Sequence, residues 1–233
     1  MTTVDRVMDA LAGVYDPELD ESITSLRFVS GCEVSDDGGV CVRLRLPTPQ
    51  CAPNFAFLMA ADARRAVRAV AGVRAVTVVL EDHYTGDEIN DAIARGDGFM
   101  GAFPGETADD DLEALRELFV RKALVARQGR IVEGLLADGW SVARLVACRV
   151  AELPDGVDAR RCVELRAQLG LDAGPDAPAL VSGDGQAVAA GEFERWRRMG
   201  RLVRTSLDAN GGICRSLLRF RHGLSDELEE VSR

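Results

Sequence analysis

Residues 40–80 carry the pattern that most limits the fold, because a strand, a helix and a second strand follow one another there. Residues 40–46 (VCVRLRL) alternate apolar and polar side chains, and residues 73–80 (VRAVTVVL) are rich in β-branched side chains; both patterns are typical of strands. Between them, apolar side chains recur at helical spacing over residues 53–71. A strand, helix and strand in succession form a right-handed crossover, so we predict two parallel strands in one sheet.

The flanking sequence extends this unit in both directions. Residues 26–34 alternate like a strand, and the SDDGG turn that follows predicts a hairpin with the strand at 40–46. Helical spacing over residues 3–13 predicts a first helix, and residues 85–95 predict a short helix after the last strand. The resulting order of helix, strand, strand, helix and strand predicts a small α+β domain with a mixed three-stranded sheet.

The composition changes near residue 96, where glycine, proline and acidic residues become frequent. Such a stretch is typical of a linker. We therefore predict an α+β domain at residues 1–95, a linker at 96–109 and a mainly helical second domain at 110–233.

The second domain has less regular patterns. We predict helices over residues 110–128 and 130–150, a short hairpin at 179–190 and an arginine-rich helix at 191–205. Asn210-Gly211-Gly212 then predicts a sharp turn that delivers Cys214 to the start of another helix.

Arginine is concentrated in residues 192–222, which hold eight arginines against three acidic residues. Two interpretations stay open for this stretch. It could dock an acidic partner or nucleic acid, or it could be a solvated helix face whose arginines pair with the chain's own carboxylates.

Composition excludes several classes of function. A formal charge of −10 over 233 residues argues against bulk nucleic-acid binding, which depends on positive charge. Neither a signal peptide nor an apolar run long enough to span a bilayer is present, so we expect a cytoplasmic protein without a membrane partner. Six cysteines without a CxxC pair predict free thiols and argue against a structural zinc site.

The predicted topology gathers reactive side chains at one end of the sheet. Cys51 follows the strand at 40–46, and Asp82-His83 follow the parallel strand, so the two should lie close together. The hairpin brings the Asp16-Pro17-Glu18 segment to the same end. Cys51 also lies just before Pro53 at a helix start, where unpaired N–H groups favour a thiolate able to bind metal or act as a nucleophile.

Each of these residues also has a purely structural interpretation. Cys51 could be a small apolar filler, although the prolines around it indicate a stiff, exposed turn. His83 could be satisfied by backbone groups, and Asp16 and Glu18 could belong to a solvated turn. Cys214 has the same predicted helix-entry position as Cys51, and a structural role fits it equally well.

An ordered series of short motifs resembles the iron–sulfur (metal–sulfur) cluster assembly domain family over residues 3–82. That family includes Suf accessory factor T, a phenylacetate-pathway maturation protein and a cytosolic iron–sulfur targeting factor. The motifs are, in order, VMDAL at 7–11, DPEL at 16–19, SI at 22–23, Leu26, Val29, TPQCAP at 48–53 and GV at 72–73.

The resemblance implies a small α+β fold, no enzymatic turnover, and a role in assembling or delivering metal centres. It places the family's reactive cysteine on Cys51 and its acidic signature on Asp16, Pro17 and Glu18. The usual Cys-Pro step is here Cys51-Ala52-Pro53, which shifts the proline by one residue. The extension after residue 83 is similar to longer actinobacterial relatives associated with di-iron monooxygenases, which would make the client a non-haem di-iron enzyme.

Three functions follow as hypotheses. In the first, the protein is an assembly factor that binds iron or an iron–sulfur cluster transiently through Cys51, with Asp16 and Glu18 beside it. His83, Glu18 and Cys214 are the candidate further metal ligands, and a homodimer could complete the set. In the second, Cys51 is the nucleophile and His83 the base of a hydrolase or transferase. In the third, the protein is a non-catalytic adaptor or chaperone for a client metalloenzyme.

Overall fold

A computed structural model describes residues 2–105 and 112–223 of the chain. The chain divides into two compact units, of which Met1–Leu112 with Asn210–Arg233 form the first and Glu113–Ala209 the second. This division differs from the predicted bounds because the last helical segment belongs with the α+β unit. The predicted linker at 96–109 contains a packed helix whose Phe99 and Ala102 are buried, and its residues 106–109 lie outside the described residues.

The first unit contains the predicted α+β elements. In chain order these are α1 (Val4–Ala12), β1 (Tyr15–Asp16), β2 (Glu21–Ser22), β3 (Val29–Val34), β4 (Gly39–Arg45), α2 (Pro53–Arg68), β5 (Ala75–Glu81), α3 (Gly86–Arg95) and α4 (Phe99–Ala102). The α+β fold class is therefore confirmed. The short β1–β2 ladder, which brings Asp16 opposite Glu21, has no counterpart in the predicted elements.

The main sheet confirms the predicted topology, with the strand order β3-β4-β5. β3 pairs with β4 in antiparallel orientation, and β4 pairs with β5 in parallel from Gly39↔Ala75 to Arg45↔Glu81. The carboxyl ends of β4 and β5 consequently lie side by side. The chain segments that leave these two strands therefore start from the same end of the sheet.

The apolar core of the first unit lies against one face of this sheet. Along β4 the side chains of Val40, Val42 and Leu44 are buried, alternating with more exposed neighbours as expected for a strand with one covered face. Helix α1 contacts β3, while α2 and α3 contact β5. Asn90 of α3 pairs with the backbone of Leu80, accepting from its N–H at 2.7 Å and donating to its carbonyl at 3.1 Å, which satisfies an otherwise open strand edge.

The second unit is mainly helical, as predicted. It contains α5 (Glu113–Ala137), α6 (Val142–Ala147), a 3-10 helix (Val150–Glu152), α7 (Val157–Gln168) and the first part of α8 (Phe193–His222). The boundary predicted between helices at 110–128 and 130–150 was wrong. Helix α5 runs unbroken to Ala137, and Ser141 then caps α6. The predicted hairpin at 179–190 is reduced to one antiparallel bridge, Val181↔Ala187.

The predicted turn at Asn210-Gly211-Gly212 is wrong, because α8 continues through these residues to His222. Two consecutive glycines disfavour a helix by about 1 kcal/mol each, but tertiary contacts override this local preference. A Cβ on the buried Gly211 would lie 3.0 Å from Oε1 of Glu21, so the missing side chain lets the helix approach the β1–β2 ladder closely. Cys214 therefore lies within a helix and not at its start.

None of the helices in the described part of the chain combines the length and the apolar character that a bilayer crossing requires.

Candidate functional site

Cys51 lies on the short loop that joins β4 to α2. Ala52 is the N-cap of α2 and Pro53 its first residue, so the predicted helix start is confirmed despite the shifted proline. The Cys51 side chain is half-buried, and its Sγ lies 3.6 Å from the hydroxyl of Thr48. Its backbone N–H donates to the Thr48 carbonyl at 3.3 Å, which closes a turn over Thr48 to Cys51.

Three carbonyl groups fix this loop to its surroundings. The carbonyl of Pro47 accepts from the guanidinium of Arg221 at 2.8 Å, and that of Pro49 accepts from the Tyr84 N–H at 3.1 Å. The carbonyl of Cys51 accepts from Nε2 of His83 at 2.7 Å. The loop backbone is therefore anchored at residues 47, 49 and 51, which restricts the position of the Cys51 thiol.

The segment after β5 bends sharply to reach the Cys51 loop. Asp82 adopts a left-handed conformation with φ of 50°, which turns the chain at the strand end. The Asp82 carboxylate forms an ion pair with Arg221. The predicted proximity of Cys51 and His83 is thus present, but the contact is between the imidazole and a backbone carbonyl.

Asp16 occupies a buried turn at the end of β1. Its Oδ1 accepts from the N–H groups of Glu18 at 2.8 Å and Leu19 at 3.0 Å, and the residue is only 7% exposed. The pKa of the Asp16 carboxyl is raised to about 6, mainly by burial, because the opposing effect of the two backbone bonds is smaller and the charges of Glu18 and Glu21 also raise it. A group so perturbed is a candidate for function.

The last part of α8 is attached to this acidic segment by two side-chain contacts. Nδ2 of Asn210 donates to Glu18 at 3.3 Å, and the guanidinium of Arg215 bonds both carboxylate oxygens of Glu21 at 2.6 and 2.8 Å. These contacts hold the helical turn that contains Cys214 beside Glu18 and Glu21 of the same unit.

Cys214 lies within electrostatic range of the other candidate residues. The pKa of its thiol is raised to about 11, mainly by burial and then by electrostatic interactions with Asp16, Cys51 and Glu18. The position inside a helix removes the helix-start effect that the sequence suggested for this residue. At neutral pH Cys214 is a protonated thiol that a bound metal would have to deprotonate.

Of the five predicted site residues, Asp16, Glu18 and Cys51 thus each lie within electrostatic range of Cys214. In residues 2–105 and 112–223, no group of three or more His, Cys, Asp and Glu side chains is arranged to hold a metal ion. The fifth residue, His83, contacts the backbone of this site. We call the end of the sheet formed by residues 16–19, 46–52, 82–85 and 210–222 the Cys51 end.

Sequence reasoning missed Arg221, Asn210 and Arg215, which hold the Cys51 end together. The signal was present, because Cys214, Leu218 and Arg221 follow at helical spacing of four and three residues. Leu218 is fully buried in the first core, as expected for the middle of such a face. The predicted glycine turn concealed this pattern.

At least four of the eight arginines in residues 192–222 pair with carboxylates of the chain. In the second unit Glu133 binds Arg197 at 2.8 Å and Arg201 at 3.4 Å, and these bonds lower the pKa of Glu133 to about 2. In the first unit, Arg215 and Arg221 are paired as described above. These contacts support the second interpretation of this stretch, which is a helix face whose arginines pair with the chain's own carboxylates.

Comparisons with known proteins identify the class. The family described as "Iron-sulfur cluster assembly protein" matches residues 4–78. An uncharacterized protein of Methanocaldococcus jannaschii is 34% identical over 93 residues, which are 40% of this chain and 96% of that protein. The chain therefore belongs to the iron–sulfur cluster assembly family, and the predicted resemblance is confirmed.

A second relative carries a functional name. The Fe-S protein maturation auxiliary factor of Porphyromonas gingivalis is 29% identical over 102 residues, which are 43% of this chain and 95% of that protein. Together these findings support a role in iron–sulfur protein maturation. No solved structure matches the chain.

Proposed function

We propose that the protein is a maturation factor that binds iron or an iron–sulfur cluster transiently through Cys51 and delivers it to a client protein. The observation that carries the proposal is the position of Cys51, a half-buried thiol on a fixed loop at the Cys51 end, together with Cys214, which interacts electrostatically with Cys51, Asp16 and Glu18. Family membership supports this proposal.

The donor atoms at this end suit transient binding of iron. Thiolate and carboxylate groups are both iron ligands, and Cys51, Cys214 and Glu18 are the proposed set. No three such side chains in the described residues are arranged around one metal position, so ion binding would have to draw these groups together, and further ligands would come from a second copy of the chain or from the client. An incomplete shell favours transfer over permanent retention.

The proposed client is an iron–sulfur protein, in line with the name of the Porphyromonas gingivalis relative. A non-haem di-iron monooxygenase is the second candidate, suggested by the resemblance of the extension. We propose a cytoplasmic location, where reducing conditions keep thiols available for metal binding, and no nucleic-acid or membrane partner.

The geometry gives less support to a cysteine enzyme. Within the described residues, the hydrogen-bond partner of the Cys51 sulfur is the Thr48 hydroxyl, and His83 bonds the Cys51 carbonyl. A general base has to reach the proton that it removes. An adaptor role remains compatible with metal delivery, and metal-free protein that still protects its client would favour it.

The proposal predicts that Cys51→Ser loses iron. After anaerobic reconstitution, we expect the variant to bind iron at least about tenfold more weakly, because a direct ligand should matter no less than the outer groups around it. Iron per chain and the thiolate-to-iron absorption bands measure this.

Cys41→Ser is the matched control, since Cys41 lies within β4, away from the Cys51 loop. It should retain iron and absorption like the unmodified protein. Equal iron binding by Cys51→Ser and the unmodified protein would contradict the proposed function.

A further inference from the structure

Both ring nitrogens of His83 are engaged in hydrogen bonds. Nε2 lies 2.7 Å from the carbonyl oxygen of Cys51. Nδ1 lies 3.3 Å from the backbone nitrogen of Thr85 and 3.1 Å from its hydroxyl oxygen. The ring therefore connects the Cys51 loop to the residue that caps α3.

These partners define the tautomer of the ring. A carbonyl oxygen can only accept, so Nε2 carries the hydrogen and donates to Cys51. A backbone N–H can only donate, so Nδ1 is unprotonated and accepts from Thr85. The ring lone pair on Nδ1 is therefore already directed at Thr85.

The orientation of the ring is fixed from further directions. The Tyr84 ring stacks on it with centroids 5.1 Å apart and planes inclined by 30°. The left-handed backbone at Asp82 sets the direction in which His83 leaves β5, and Arg221 holds Asp82 while it also bonds Pro47.

We propose that His83 is a positioning residue for Cys51, neither a metal ligand nor a general base. By holding the Cys51 carbonyl, the Nε2–H group sets the orientation of the peptide that carries the thiol and keeps Sγ beside Thr48. The role of this positioning in iron binding rests on the proposed function. The positioning itself is a property of the metal-free protein and can be tested there.

The test measures alkylation of Cys51 by iodoacetamide in the metal-free, full-length chain, followed by peptide mass spectrometry. In His83→Ala and His83→Phe, Cys51 is expected to react about fivefold faster, the change that corresponds to the loss of one hydrogen bond. Phenylalanine retains the stacking on Tyr84 but has no N–H group. His83→Gln, whose amide can donate to the carbonyl of Cys51, is expected to restore the slow rate.

Two further measurements control for general unfolding and test the His83 tautomer. Cys32 of β3, which packs against the first core, should react equally in all variants, since faster reaction there would report general unfolding. A long-range ¹H–¹⁵N NMR spectrum of the unmodified protein should show a protonated Nε2 and an unprotonated Nδ1 on His83.

Several outcomes would overturn the proposal. Unchanged Cys51 alkylation in all three variants would do so, as would an unprotonated Nε2, which could not donate to the Cys51 carbonyl. So would iron loss in His83→Ala and His83→Gln alike with normal alkylation, because that pattern defines a metal ligand. If the unmodified protein binds no iron, the proposed function fails while the alkylation result still decides the positioning role.

Discussion

Replacing Gln128 by leucine is expected to lower the free energy of unfolding of the second unit by about 3 kcal/mol, because buried polar groups lose their partners. Gln128 lies on α5 and is fully buried. Its Oε1 accepts from the Val181 N–H at 2.7 Å, and its Nε2 donates to the Val181 carbonyl at 3.1 Å. The Gln128 side-chain amide thus bonds the backbone N–H and carbonyl of Val181, as a residue of a neighbouring strand would.

Leucine would fill much of the same volume without these bonds. The carbonyl of Val181 would keep the bond from the Trp196 indole at 3.2 Å, but its N–H would be left buried and unpaired. The decrease in the free energy of unfolding should therefore be larger than the decrease caused by removing one exposed hydrogen bond. It should also loosen the bridge between Val181 and Ala187.

Tryptophan fluorescence during urea unfolding measures this change, because both tryptophans of the chain, Trp140 and Trp196, belong to the second unit. Gln168→Leu is the matched control, since Gln168 is exposed at the end of α7. The control should change stability by no more than about 0.5 kcal/mol. Equal midpoints for the two variants would show that the Val181 pairing does not stabilise the unit.

The sequence contained most of the information needed to place Cys51. Alternation in β4, β-branched residues in β5 and the helical spacing of α2 are local signals, and the handedness of the crossover then fixes which strand ends meet. The position of Asp16 and Glu18 at the same end followed from the hairpin. These predictions depended on periodicities that burial of one face imposes on any strand or helix.

Long-range polar contacts could not be predicted in the same way. The continuity of α8 through Gly211 depends on bonds from Asn210 and Arg215 to carboxylates almost 200 residues earlier in the chain. Gln128 shows no sequence signal for a backbone partner at Val181. For His83, topology predicted the neighbourhood, while the atom that it contacts depends on the left-handed turn at Asp82.

Replacing Asp16 by asparagine is expected to stabilise the first unit at pH 7.5 by up to about 3 kcal/mol. The carboxylate is buried near Glu18 and Glu21, so its charged form is disfavoured in the folded state. Asparagine keeps the Oδ1 that accepts from the Glu18 and Leu19 N–H groups but carries no charge. Its added N–H₂ group can donate to the neighbouring carboxylates.

The same shift predicts the pH dependence of the unmodified protein. Burial raises the pKa of Asp16 from 3.8 to about 6, so the folded state retains a proton that the unfolded state releases in this interval. The stability contributed by the neutral carboxyl is fully present below pH 3.8 and is lost as the pH rises through about 6. Asp16→Asn should remove this decline, so the two proteins should differ little at pH 4 and most above pH 7.

Hydrogen exchange of the β4 and β5 amides, corrected for intrinsic rates, measures the stability of the first unit at each pH. Asp9→Asn is the matched control, because Asp9 is exposed on α1 and its replacement removes the same charge. Equal stability of Asp16→Asn and Asp9→Asn at pH 7.5 would contradict the destabilising role of the Asp16 charge. If Asp16→Asn is more stable but retains less iron, the carboxylate acts at the Cys51 end despite its effect on folding.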